Sequence, residues 1–126
     1  MSAAILFIDD YEPASTIMQF IVEDMGHHFS YSSTGDDALM QVKEQHFDVA
    51  LVDINLPKYD GHVLAQKLRA VSKNENICLV GYTADAKSVS NDRAQYFDVL
   101  EQKSLKAEET SRLIANALKR CNSIVA

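Results

Sequence analysis

Three short, almost unbroken apolar runs, each stopped by a polar residue, constrain this chain more than any other feature. Ala3 to Ile8 is stopped by Asp9 and Asp10, Val49 to Val52 by Asp53, and Ile77 to Tyr82 by Thr83. Runs of this length suit strands, and apolar side chains on both faces call for a sheet covered on both sides, as parallel sheets are. The intervals carry helical spacing. Pro13 near a helix start is followed by Ala14, Ile17, Met18, Ile21, Val22 and Met25 as an apolar stripe, with Gly26 as the stop. Thr34 or Asp36 can cap a second helix carrying Ala38, Leu39 and Val42, and Asp60 a third carrying Leu64, Leu68 and Val71.

The remaining segments are more polar. His28 to Ser32 alternates, placing Phe29 and Tyr31 on one side of a half-exposed strand, and Phe97 to Glu101 forms a mixed short strand. Ala86 to Tyr96 has weak helical character, because Ser88, Ser90 and Asn91 favour caps and turns. Ser104 caps a last helix whose face is Ile114, Ala117, Leu118 and Cys121, and Asn122 to Ala126 fray at its end. Five strands alternating with five helices make an α/β doubly wound fold with right-handed crossovers. The apolar strands belong in the middle and the polar second and fifth at the edges, which gives the parallel order 2-1-3-4-5.

A chain of 126 residues fits one domain (1–126, core about 3–120). The net charge of −6 disfavours nucleic acid or an anionic membrane as a direct partner. No apolar run approaches the roughly 20 residues of a membrane span, so no membrane insertion is expected, and no signal pattern opens the chain. Cys78 and Cys121 read as buried, reduced thiols rather than a disulfide framework, in keeping with a cytoplasmic protein.

In a doubly wound sheet, ligands bind at the carboxyl ends of the strands where the winding reverses, here between the first and third. That rule gathers Asp9, Asp10, Asp53, Thr83 and Lys103 on one edge. Three carboxylates so close would repel, raising at least one pKa unless a cation sits among them. Carboxylates with a backbone carbonyl and waters suit a small hard cation, with Mg2+ the first choice. A carboxylate beside Mg2+ can attack a phosphoryl group and form an aspartyl phosphate. The Thr83 hydroxyl and Lys103 ammonium would then neutralise the new oxygens.

The acidic pair Asp9-Asp10, the Asp53-x-Asn55-x-Pro57-x-x-x-Gly61 pattern, Thr83-Ala84 and Lys103 resemble, in this order and spacing, the receiver domain of two-component response regulators, of the kind seen in chemotaxis regulators. The likeness covers Ala3 to about Arg120. It implies a flavodoxin-like (βα)5 fold and phosphotransfer from a histidine kinase or histidine phosphotransfer protein onto Asp53, the phosphoacceptor. It implies Mg2+ held by Asp10 and Asp53 directly, by Asp9 through water and by the backbone carbonyl of Asn55. Thr83 would swing toward the phosphoryl group and Lys103 pair with it. The result would be a signalling phosphoacceptor rather than an enzyme, switching a surface for an output protein that the motifs do not specify.

The chain departs from the family pattern in four places, one of them Tyr96, which stands where a glycine is common. Ser104 follows the lysine where proline is usual, Leu100 stands where an aromatic residue usually rotates with the threonine, and the Thr83–Lys103 segment is about two residues shorter than in many relatives. These departures point to an atypical fourth helix and fifth strand. They also keep in view a degenerate receiver acting as a constitutive protein-binding scaffold. A phosphatase of the haloacid dehalogenase type would carry its nucleophile after the first strand. A flavin-binding module would need a phosphate-cradling loop where Asp9, Asp10 and Glu12 stand.

Overall fold

The computed structural model of the protein describes residues 2–104 and 106–125, with side chains described as far as residue 122. The elements run β1 (Ala4–Ile8), α1 (Glu12–Asp24), β2 (His28–Ser32), α2 (Gly35–Glu44), β3 (Val49–Asp53), α3 (Gly61–Val71), β4 (Cys78–Thr83), a single 3-10 turn (Ala86–Ser88), α4 (Asn91–Ala94), β5 (Val99–Gln102) and α5 (Ala107–Val125). The five strands are parallel in the order β2-β1-β3-β4-β5. The architecture is therefore the flavodoxin-like α/β fold that the alternation of apolar runs and helical stripes implies.

The alternation of side chains along each strand divides the interior into two cores. Ile5, Phe7, Leu51 and Val80 point to the side covered by α1 and α5, where Met18, Ile21, Val22, Ile114 and Ala117 meet them. Leu6, Ile8, Ala50, Val52 and Leu79 point to the other side, against Ala38 and Val42 of α2 and Leu64, Ala65 and Leu68 of α3. β1, β3 and β4 are buried on both faces, which explains why their sequences read as continuous rather than alternating hydrophobicity. Thr34 caps α2, its hydroxyl accepting from the Asp37 N–H at 3.1 Å, and Gly26 stops α1 at φ +86°, a left-handed conformation that favours glycine.

Several expectations are corrected. The segment expected as one weak helix, Ala86 to Tyr96, divides into the 3-10 turn and the four-residue α4. Ser88 donates its hydroxyl to the Asp85 carbonyl, Val89 is extended, and Ser90 starts a new turn by accepting from the Arg93 N–H. Serine hydroxyls thus compete with the helix for backbone partners. The fourth helix is short, as the family departures suggested. β5 begins at Val99 rather than Phe97, because Phe97 and Asp98 close the turn after α4 through bonds to Ala94 and Leu79. Helix α5 spans Ala107–Val125, and Ala126 lies outside the described residues. Ile17, placed on the core stripe of α1, is 61% exposed, on the solvent face with Phe20 and Tyr11.

The largest correction concerns the cysteines. Cys78 and Cys121 form a disulfide rather than two separate thiols. The first residue of β4 and the distal part of α5 lie side by side with Cα atoms 5.8 Å apart, inside the span a disulfide can bridge. Each cysteine sits on an apolar stripe, so each reads from its own neighbours as a small core residue.

Candidate phosphorylation site

Each candidate side chain leaves the end of its strand by the same logic: the apolar run stops where the sheet meets solvent. Asp9 follows β1 and is buried, whereas Asp10 beyond it is exposed. Asp53 is the last residue of β3 and only 4% exposed. Thr83 ends β4 and is buried, and the Lys103 N–H donates to the Thr83 carbonyl at 2.7 Å, continuing the β4–β5 ladder by one rung. The Lys103 ammonium then reaches across the sheet edge to Asp9 Oδ2 at 3.3 Å and to Asp53 Oδ2 at 3.4 Å.

Asp53 is held from several sides. Its Oδ1 accepts from the Asn55 N–H at 3.0 Å, and the Ile54 N–H donates to the Tyr82 carbonyl at 3.3 Å. The loop to α3 closes through a bridge between Asn55 and Asp60 and through the Gly61 N–H donating to the Ile54 carbonyl at 2.9 Å. Gly61 is required here, because a Cβ would stand 2.5 Å from the Ile54 Cα. Burial pushes the Asp53 carboxyl above its ordinary pKa; the Asn55 N–H and the Lys103 charge pull the other way, and the Asp9 charge adds to the rise. Asp9 is anchored too, accepting from the Tyr11 N–H at 2.9 Å.

Asp9, Asp10 and Asp53 each offer a carboxylate oxygen, all within 4.8 Å of one another. Three formal negative charges face one ammonium, and the donors are hard oxygens. The Asn55 backbone stands immediately beside them. That set fits a small divalent cation such as Mg2+ and would not suit a soft, sulfur-seeking metal.

The predicted residues Asp9, Asp10, Asp53 and Lys103 are thus brought together, with Asn55 bonded to Asp53 and Thr83 bonded to Lys103 through the backbone. The Thr83 hydroxyl accepts from the Asp85 N–H at 3.5 Å. Two tyrosines border the site without offering it a ligand, and both escaped sequence reasoning. The Tyr82 ring lies 5.2 Å from the Lys103 ammonium; burial, together with the Asp9 and Asp53 charges, pushes its hydroxyl up to about 12. The Tyr31 hydroxyl donates to the Asp9 carbonyl at 2.7 Å. Tyr82 reads as one more core residue of β4, and only its place directly before Thr83 marks it.

The unusual residues also find structural roles. Leu100 packs over Gly81, where an added Cβ would lie 2.6 Å from its side chain. The Ser104 hydroxyl donates to Glu109 and accepts from the Lys106 N–H, making a turn ahead of α5; because the helix starts only at Ala107, Ser104 stands before its cap position rather than at it, a correction to the expected cap.

With this geometry in hand, comparison with known proteins defines the class. The response regulator receiver domain family profile matches residues 5–115, and the chain belongs to that family. Among relatives, it is 29% identical over 90 residues to the sensor protein EvgS of Escherichia coli K12, covering 71% of this chain and 7% of that protein. It is 33% identical over 69 residues to the alkaline phosphatase synthesis transcriptional regulatory protein PhoP of Bacillus subtilis, covering 55% of this chain and 29% of that protein. The chain therefore corresponds to a small part of these longer proteins. Among solved structures, the chemotaxis response regulator CheY4 of Vibrio cholerae superposes with a TM-score of 0.83 at 18% identity, covering 93% of this chain and 99% of that one. The receiver domain of the sensor histidine kinase PA1611 from Pseudomonas aeruginosa, solved with magnesium in its active-site cleft, gives 0.78 at 21% identity, covering 94% and 99%.

Proposed function

We propose that residues 1–126 form one receiver domain that accepts a phosphoryl group on Asp53. The donor is the phosphohistidine of a histidine kinase or histidine phosphotransfer protein. The observation that carries this reading is the buried Asp53 carboxylate, 3.4 Å from the Lys103 ammonium inside a cluster of three acids. An Asp53 oxygen attacks phosphorus, the phosphorus–nitrogen bond of the donor breaks, and the imidazole leaves with its electron pair and takes up a proton. The carboxylates of Asp10 and Asp53 and the Asn55 carbonyl would hold Mg2+, with Asp9 acting through water. When bound, the cation supplies positive charge that offsets the crowded acids and the equatorial oxygens in transfer. Lys103 stands ready to pair with a phosphoryl oxygen, and Thr83 to turn its hydroxyl from Asp85 toward it. In this role the protein is a signalling phosphoacceptor, not an enzyme acting on a separate substrate. It would present an altered surface to an output protein.

The test is intact mass after incubation with acetyl phosphate and Mg2+, beside Asp53→Asn and a metal-free control. An added phosphoryl group that requires both Asp53 and Mg2+ is the expected result; no adduct in folded wild-type protein would sink the reading. That negative result would favour a scaffold that binds its partner constitutively, a reading that Leu100 seated over Gly81 and the four-residue α4 keep alive.

A further inference from the structure

The β2–α2 corner reaches both segments that carry the acidic site. Toward β1, the Tyr31 hydroxyl donates to the Asp9 carbonyl at 2.7 Å, and the Asp9 N–H donates to the Ser32 carbonyl at 3.2 Å. Toward the β3–α3 loop, Asp36 accepts from the Lys58 ammonium and from the Tyr59 hydroxyl, both at 2.6 Å. Those two bonds hold the Asp36 carboxyl below its ordinary pKa, the Lys58 bond contributing most, so the bracket is in its charged form at neutral pH. The Tyr59 ring lies over Gly35, where a side chain would collide with it. The corner is itself braced, with the Ser32 hydroxyl donating to Asp37 at 2.7 Å and the Gln41 amide donating to Ser32 at 2.7 Å.

We infer that the β2–α2 corner, through Tyr31 and Asp36, is the positioning element of the cation site. It fixes the end of β1 against the loop that carries Asn55. This rests on the Mg2+ reading above. The chain of reasoning is mechanical. Asp9 and Asp10 leave one strand, while the Asn55 carbonyl belongs to a seven-residue stretch, Ile54 to Asp60, between β3 and α3. Mg2+ demands near-octahedral geometry and tolerates little drift in its ligands. Partners outside the ligand set that orient the ligands therefore control affinity. Tyr31 and Asp36 are not among the proposed ligands; Tyr31 holds the Asp9 backbone, and Asp36 holds the side chains of Lys58 and Tyr59 in the loop after β3.

The test compares wild type with Tyr31→Phe, Asp36→Asn and Tyr59→Phe. Mg2+ affinity is measured by isothermal titration calorimetry, and the rate of phosphorylation by acetyl phosphate as a function of Mg2+. Tyr31→Phe should weaken Mg2+ binding by up to about tenfold, the low end for outer partners, and the exposed Asp36→Asn and Tyr59→Phe by about two- to fivefold. The rate at saturating Mg2+ should stay within about twofold of wild type, because the reacting groups are untouched. Unchanged Mg2+ affinity in folded variants, with only the melting temperature lowered, would overturn the inference. So would a lower saturating rate at unchanged affinity. Should Tyr31→Phe not fold, the surface variants Asp36→Asn and Tyr59→Phe carry the same test. Wild-type protein that binds no Mg2+ overturns the functional reading along with this one, whereas variants that bind as wild type does overturn this one alone.

Discussion

At Asp53 the fold buries a carboxylate against two others with one ammonium to balance them. Its pKa is raised, chiefly by burial, so the folded state holds a proton there more tightly than the unfolded chain does. The sign follows: this group favours the folded state when protonated, and that contribution is lost as pH rises through the folded pKa. In metal-free protein near neutrality, Asp53→Asn should therefore stabilise, by on the order of 1 kcal/mol or about 3–5 °C in Tm. The gain should shrink at acid pH as wild-type Asp53 takes up its proton, and Mg2+ should raise the Tm of wild type more than that of the variant. Thermal melts at two pH values with and without Mg2+ decide it; a variant less stable than wild type at neutral pH without metal would contradict the account. The gathering of Asp9, Asp10, Asp53, Thr83 and Lys103 at one sheet edge was legible because each stands where a strand-like run stops, a position that topology alone brings together. Tyr31 and Tyr82 were not, since what a hydroxyl or ring reaches depends on strand register and on side chains from other elements.

Among elements, the turn from β3 into α3 and the segment around α4 behave in opposite ways. The first is fixed by close approach: Gly61 lies against the backbone of Ile54, and a methyl group there would meet Ile54 Cα, O and C at 2.5, 2.9 and 3.1 Å. Backbone cannot yield as a flexible side chain can, so Gly61→Ala should cost about 1–3 kcal/mol and displace the Asn55 loop. Chemical denaturation would register the loss, and a change below about 0.5 kcal/mol would show that the turn relaxes freely. The second segment has a four-residue helix with no fully buried side chain. Its amides, from 86 to 96, should exchange with deuterium orders of magnitude faster than those of β3 and β4. Protection equal to that of the central strands would refute this. The weakness of this helix was visible in Ser88, Ser90 and Asn91. Its division into two pieces was not, because it depends on which carbonyl each serine hydroxyl finds.

Over the whole molecule, the sheet order was legible from the polarity of the five strands, whereas the one covalent cross-link was not. Cys78 and Cys121 are 43 residues apart. Nothing in either stretch marks the other as a neighbour until the sheet places β4 against α5. In the chain-entropy account, a link closing a loop of this size stabilises by about 4 kcal/mol as an upper figure, so reduction should lower the Tm by up to roughly 15 °C. Intact mass under non-reducing conditions, about two mass units below the reduced chain, would establish the bond. Identical melts before and after reduction would show that it contributes nothing.

The same bond gives the chain a closed ring from Cys78 to Cys121, and the 3-10 turn and α4 lie inside it. A protease that finds this weakest stretch would therefore not release a fragment. The two pieces would stay joined and travel as one species until a reductant separated them. Damage at the loosest part of the molecule would be covalently silent, and exposure to thiols would decide when it became a break.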